Sequence, residues 1–139
     1  MTGRGDGPWL RRSPRGARSS LVHHDRVARA LAAIAAAGDE RALRRLLHPG
    51  VALTVDGGGR VAAPSEALEG ATDVGSYLAG VLLAPGTILR VDAVNGMPGV
   101  VLCRDRAVVG ILGFRVRDRQ ILEAWLVLNP DKLARWNCG

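Results

Sequence analysis

The sequence is short of cysteine and of uninterrupted apolar stretches. Its 139 residues include two cysteines, Cys103 and Cys138, from which no disulfide framework and no CxxC metal knuckle can be inferred. No apolar run approaches the about 18 residues that a membrane span requires, and the arginine-rich N-terminus lacks the apolar segment of a secretory signal. We therefore expect a protein of the reducing cytoplasm that does not enter a membrane.

Motifs for catalysis or metal binding are missing as well. There is no HExxH, paired-cysteine or Asp/Glu cluster, so we predict no metal and no cofactor. His23 and His24 lie near the N-terminal tail, and His48 precedes a proline. Tyr77 lies on the apolar stripe of a predicted helix, and Asp92 should face solvent from a strand. None of these resembles a buried general base, and we assign no catalytic residue.

The formal net charge of +6 is concentrated at one end. Arginines, glycines, prolines and serines crowd residues 1–24, a composition that buries too little apolar area to fold, and this segment is predicted to be a flexible basic tail. Charge nearly balances over residues 25–139, which fit one domain. A basic tail beside a near-neutral body argues against sequence-specific nucleic-acid binding. Richness in alanine, glycine and arginine is typical of high-GC bacteria.

Periodicity predicts helices first and strands afterwards. Helices should begin at Asp25, after Asp39 and at Gly70, and a strand over residues 51–55 should pair back with residues 61–63. The remainder predicts three consecutive hairpins with strands over residues 87–94, 99–103, 108–116 and 121–128. This is an α+β fold in which a strongly bent antiparallel sheet wraps around the N-terminal helices as a cone with a hollow.

Two polar, turn-forming blocks interrupt this pattern. The glycine-rich block consists of Asp56, Gly57, Gly58, Gly59 and Arg60, and the C-terminal block of Asn129, Pro130, Asp131, Lys132 and Leu133. Local physics can explain each one. Consecutive glycines permit positive φ in a tight turn, and Asn129 or Asp131 can cap a short helix that has Pro130 in its first turn. Leu133 and Trp136 can then pack back on the body.

The order of these elements, with both blocks, resembles the SnoaL-like, nuclear transport factor 2-like domain. More narrowly, it resembles the version found at the C-terminus of certain extracytoplasmic-function sigma factors. The similarity covers about residues 25–136. It implies a regulatory domain in which both blocks take part in contacts with the sigma core or RNA polymerase. By analogy with the superfamily, it also implies a homodimer paired through the sheet.

This chain departs from the sigma-factor pattern at two points. Arg60 occupies a position where lysine is usual, which keeps the charge but changes the donor geometry. Residues 1–24 are too few for either DNA-binding region of a sigma factor. We therefore expect a free-standing copy of the regulatory domain, with the ten residues of the two blocks as its partner-binding surface.

An alternative function uses the hollow of the cone, because the superfamily includes isomerases, cyclases and hydrolases. The predicted pocket lining is apolar, which suits an apolar small molecule better than acid–base catalysis. It consists of Leu53, Tyr77, Leu89, Val101, Cys103, Ile111 and Leu126. Trp125 has the opposite strand parity from Leu126 and is predicted to cover the outside of the sheet.

Overall fold

Residues 14–138 form four helices and six strands in an α+β arrangement. The computed structural model describes the backbone of these residues and the side chains of residues 20–138. The elements are α1 (Pro14–Ala37), α2 (Glu40–Arg45), β1 (Leu47–Asp56), β2 (Leu68–Glu69), α3 (Ala71–Leu82), β3 (Ile88–Val94), β4 (Met97–Arg104), β5 (Ala107–Arg117), β6 (Gln120–Val127) and α4 (Pro130–Leu133). The predicted fold class is confirmed.

The strands form one curved sheet that does not close on itself. Their order is β2-β1-β6-β5-β4-β3. Four of the neighbouring pairs are antiparallel, but β1 and β6 run parallel, with Asp56 opposite Val127. The sheet is therefore mixed, and the C-terminal ends of β1 and β6 lie at the same edge.

Two-residue loops connect the last four strands into the three predicted hairpins. Their central residues are Asn95-Gly96, Asp105-Arg106 and Asp118-Arg119, and all six have positive φ between 52° and 80°. This geometry is that of the type I′ turn, whose twist matches that of a two-stranded ribbon. The three hairpins are therefore set by local sequence.

The first helix begins at Pro14, eleven residues before the predicted start at Asp25. The expectation that the tail extends to residue 24 is therefore wrong for residues 14–24, while residues 1–13 lie outside the described residues. Further along, α2 begins as predicted because Asp39 Oδ1 accepts a 3.0 Å hydrogen bond from the Ala42 amide.

Residues 61–63 do not form the predicted return strand. Leu68 and Glu69 of β2 pair with β1 instead. The amide of Val61 donates to the carbonyl of Gly57 and is not available to β1, and Pro64 has no amide with which to extend a ladder. The chain therefore crosses a loop before it pairs with β1.

The core lies between the helices and one face of the sheet, called here the inner face. Helix α1 packs on β3, β4 and β5, and α3 packs on β1. The fully buried side chains at this interface include Leu31, Leu53, Leu78, Leu102, Leu112 and Leu126. No helix among the described residues is long and apolar enough to span a membrane.

Candidate functional site

The two polar blocks form one continuous surface at the edge of the sheet. The glycine-rich block begins at the last residue of β1, and the C-terminal block follows β6. Because β1 and β6 are parallel neighbours, both blocks lie at the same edge of the sheet. The amide of Leu128 donates a 2.7 Å hydrogen bond to the carbonyl of Asp56 just before the C-terminal block starts. The tertiary structure therefore brings together residues that lie far apart in the sequence.

Two ion pairs connect the glycine-rich block to the C-terminal block. Lys132 Nζ lies 2.6 Å from Asp56 Oδ2, and Arg60 Nη1 lies 3.6 Å from Asp131 Oδ1. The hydrogen bond from Lys132 lowers the pKa of Asp56, and the Lys132 charge and the Gly58 amide act in the same direction against partial desolvation. The Lys132 and Arg60 side chains remain 62% and 64% exposed. A partner could therefore reach both cations.

Each glycine of the block has its own structural reason. A Cβ on Gly57 would lie 2.2 Å from the carbonyl oxygen of Val61. A Cβ on Gly58 would lie 2.2 Å from Asn129 Cγ, and Gly58 also has φ +64°. Gly59 has open space around it, but its φ of +76° disfavours other residues. The glycines make the turn and let the C-terminal block approach the backbone.

The C-terminal block is a short capped helix, as local chemistry predicts. Asn129 Oδ1 accepts a 3.1 Å hydrogen bond from the Asp131 amide, and Pro130 occupies the first turn. Leu133 is buried, and its carbonyl accepts a hydrogen bond from the Trp136 amide. These contacts anchor the block on its apolar side and leave its charges in solvent.

The predicted pocket lining does not enclose a hollow. Leu53, Leu89 and Leu126 belong to the packed core on the inner face, with Tyr77 half-buried at its margin. In contrast, Val101 pairs with Ile111 on the opposite face, here called the outer face, and Cys103 shares that face. The predicted lining therefore combines residues from two sides of the sheet.

Burial of the outer face explains this error. The segment of residues 129–138 lies over part of that face, where α4 contacts β5 and Arg90 donates to the carbonyl of Asn137. Both faces of β4 are consequently buried, so its apolar run shows no alternation from which a face could be inferred. Trp125 lies on the outer face, as predicted from its strand parity, and its side chain is 43% exposed.

Cys103 and Cys138 form a disulfide, which the sequence analysis did not predict. It joins β4 to the end of the described chain across 35 residues. The bond fixes Cys138 to strand β4. The two cysteines belong to no motif that predicts a disulfide. Only the fold places their Cα atoms 5.9 Å apart, within the range that a disulfide requires.

His24 is the buried polar side chain that sequence reasoning missed. It is 4% exposed, stacks on Phe114 with ring centroids 5.8 Å apart, and contacts the Ser20 carbonyl through Nδ1 at 2.7 Å. Its helical spacing from Val27 and Leu31, which places it on the buried face of α1, was the signal in the sequence that could have predicted its burial.

Burial also raises the pKa of Tyr77. Asp92 accepts a hydrogen bond from Arg90, in agreement with the polar position predicted for it.

Two surface cavities flank α1 rather than occupying the cone. One, of about 320 Å³, is lined by Leu21, Asp25, Val91, Asp92, Ala93, Gly96 and Pro98. The other, of about 190 Å³, is lined by His23, Arg26, Val27, Ala30, Leu46 and Arg119. Neither cavity is lined by His24, Tyr77 or a residue of the predicted pocket. The described side chains thus place no buried base beside either space.

Comparison with known proteins agrees with this architecture. No protein-family model matches the chain. The sigma factor SigJ of Mycobacterium tuberculosis, an extracytoplasmic-function RNA polymerase sigma factor, is 33% identical over 123 residues, covering 80% of this chain and 39% of SigJ. The SigJ crystal structure superposes with a TM-score of 0.60 and 27% identity, covering 86% of this chain and 47% of that one. The chain thus spans less than half of SigJ.

Other solved structures share the fold at lower identity. A SnoaL-like protein of unknown function from Burkholderia thailandensis has a TM-score of 0.58 and 18% identity, over 85% of this chain and 97% of its own. A candidate ketosteroid isomerase from Kribbella flavida has a TM-score of 0.56 and 15% identity, over 78% of each chain. The chain has the fold of the SnoaL-like, nuclear transport factor 2-like proteins and is homologous to the C-terminal region of SigJ.

Proposed function

We propose that this chain is a regulatory, partner-binding domain that acts in the cytoplasm on transcription initiation. Its partner is a sigma factor or RNA polymerase, and its contact surface is formed by the glycine-rich and C-terminal blocks. The observation that carries the proposal is the ion pair between Asp56 and Lys132, 76 residues apart, within one exposed surface. Homology to SigJ supplies the transcriptional context.

The charges of this surface suit a polar protein partner. Arg60 and Asp131 are 3.6 Å apart and both well exposed, so their mutual attraction adds little to stability. Each side chain can therefore exchange its neighbour for a carboxylate or a guanidinium of a partner at small cost. Arg60 additionally offers a planar set of donors suited to a carboxylate.

The alternative function, a small-molecule-binding or isomerase-type enzyme, has weaker support. Its support is the fold shared with a candidate ketosteroid isomerase. Proton transfer in this fold would need a base beside a space that admits substrate. His24, the buried polar residue among the described side chains, stacks on Phe114 in the packed core instead. The contact surface is therefore the favoured proposal.

Capture experiments with Arg60→Ala test the proposal. Tagged wild-type chain is mixed with purified sigma factors and with RNA polymerase, and bound protein is quantified. Arg60→Ala should weaken capture by about tenfold, as loss of a charged contact at an interface does. Arg29→Ala is the matched control, because Arg29 forms an exposed ion pair with Asp25 on α1.

Thermal unfolding of both variants distinguishes a lost contact from a lost fold. The exposed ion pairs of Arg60 with Asp131 and of Arg29 with Asp25 should each contribute little to stability. The melting temperatures of both variants should therefore remain near that of the wild type. If Arg60→Ala, Asp131→Ala and Lys132→Ala all retain wild-type capture of every detected partner, the contact surface is wrong. If Arg29→Ala weakens capture equally, the binding is not specific to the two blocks.

A further inference from the structure

The C-terminal segment is held to the outer face at its far end by a covalent bond. Cys138 is bonded to Cys103 of β4, and the neighbouring carbonyl of Asn137 accepts a hydrogen bond from Arg90 of β3. Upstream, the same segment includes Lys132 and Asp131, which form the ion pairs with the glycine-rich block. One short stretch of chain thus joins the disulfide to the candidate contact surface.

We propose that the Cys103–Cys138 disulfide is a redox clasp that controls this contact surface. When oxidised, it fixes residues 134–138 on the outer face and holds the C-terminal block against Asp56. When reduced, it releases residues 134–138 and weakens the ion pair between Lys132 and Asp56. The regulatory meaning of the clasp rests on the proposed function, but its opening does not.

The positions of the two sulfurs support a bond that can open. Cys103 is 8% exposed beneath the segment, whereas Cys138 is only half-buried. A reductant can therefore approach the Cys138 sulfur more readily, and accessibility helps to decide which sulfur is attacked. A disulfide in a reducing compartment is more often transient than structural, which fits a regulatory bond in a cytoplasmic regulator.

The chemistry is thiol–disulfide exchange with a small dithiol. One thiolate of the dithiol attacks the Cys138 sulfur, the protein S–S bond breaks, and Cys103 leaves as a thiolate that takes up a proton. The second thiolate of the dithiol then attacks the mixed disulfide, which releases Cys138. The protein gains two electrons and two protons, and the dithiol becomes a cyclic disulfide. A small-molecule disulfide such as glutathione disulfide reverses the reaction by the same exchange.

Release has a defined structural consequence. The disulfide and the hydrogen bond from Arg90 both hold the end of the segment on the outer face, while Leu133 remains buried upstream. Loss of the covalent link should therefore loosen residues 134–138 strongly and the C-terminal block, which Leu133 still anchors, to a smaller extent. Cys103, now a free thiol on the outer face, then becomes more accessible.

Hydrogen exchange measured by mass spectrometry tests the clasp without any partner. The full chain is compared after treatment with glutathione disulfide and after treatment with dithiothreitol, with free thiols counted by colorimetric titration. The expected count changes from zero to two per chain. Exchange of residues 134–138 should accelerate by about tenfold or more, and that of residues 131–133 by a smaller factor, since removing a cross-link permits local opening.

The variant Cys138→Ser provides the matched test because it keeps Cys103 buried in place. It should exchange like the reduced wild type whether or not dithiol is present. The β3–β4 turn, remote from the segment, should exchange equally in all samples. Unchanged exchange over residues 134–138 upon reduction would overturn the clasp. It would also be overturned if the oxidised wild-type chain formed disulfide-linked dimers on a non-reducing gel. Acceleration confined to residues 134–138 would overturn its coupling to the contact surface.

Discussion

Lys132 Nζ lies 2.6 Å from Asp56 Oδ2 across a separation of 76 residues. The pair exists because β1 and β6 are parallel neighbours whose C-terminal ends share an edge. A second, longer contact between Arg60 and Asp131 lies beside it. The polar blocks are therefore parts of one surface, and substitutions in either block should affect the other.

The three glycines should differ in their tolerance of alanine. Gly58→Ala should lower the free energy of unfolding by about 3 kcal/mol, because positive φ and a clash with Asn129 add together. Gly59→Ala has the same backbone penalty without a clash, so it should cost only about 1 kcal/mol. Urea denaturation measures both. Equal losses would mean that Asn129 does not approach Gly58 in solution.

The carboxyl of Asp56 should respond to substitution of Lys132. Because its pKa is lowered in the folded protein, its contribution to stability is present above the ordinary value of 3.8 and is lost as the pH falls through the lowered pKa. Lys132→Met should raise the pKa of Asp56 toward 3.8, whereas Lys132→Arg should leave it lowered. An NMR titration of the carboxyl carbon measures this. The same pKa in both variants would argue against the ion pair.

Tyr77 should titrate above its ordinary value of 10.0, because burial disfavours the phenolate. A raised folded pKa means that the contribution of Tyr77 is fully present below about pH 10 and is lost as the pH rises through the raised value. Tyr77→Phe should therefore lose less stability than the wild type in alkaline solution. Absorbance titration of the phenol, with unfolding curves at several pH values, tests this. A phenol that titrates at 10.0 in the folded state contradicts it.

Removal of the disulfide should destabilise the domain. Opening a loop with a sequence separation of 35 should lower the free energy of unfolding by about 4 kcal/mol in the chain-entropy model. For a domain of this size, Cys138→Ser should lower the melting temperature by roughly 10 °C. Scanning calorimetry with and without dithiol measures the effect. The variant should be insensitive to dithiol, and the reduced wild type should match it; a wild type unaffected by dithiol contradicts the prediction.

Much of the fold could be predicted because the signals were local. The turns at Asn95-Gly96, Asp105-Arg106 and Asp118-Arg119 each lie within two residues, and all three hairpins are present. The capped starts of α2 and α4 likewise depend on one nearby oxygen. The roles of the two blocks and a homodimer stay predictions.

The faces of the strands were harder to assign. Gly99 to Cys103 is continuously small or apolar, so no alternation distinguishes Leu102 in the core from Val101 on the outer face. Burial of the outer face depends on the C-terminal segment, which the pattern within β4 cannot reveal. In β6, where Glu123 and Trp125 alternate with Ala124 and Leu126, the face was predicted correctly.

The sequence by itself determined the order of the elements, the turns and the two polar blocks, because each depends on backbone preferences and apolar period within a short stretch. Only the tertiary structure decided that the blocks meet, that Cys103 and Cys138 bond, and that His24 is buried against Phe114. These contacts join residues distant in the chain. They depend on the parallel placement of β1 beside β6 and on the return of the C-terminal segment over the sheet, neither of which leaves a local signal.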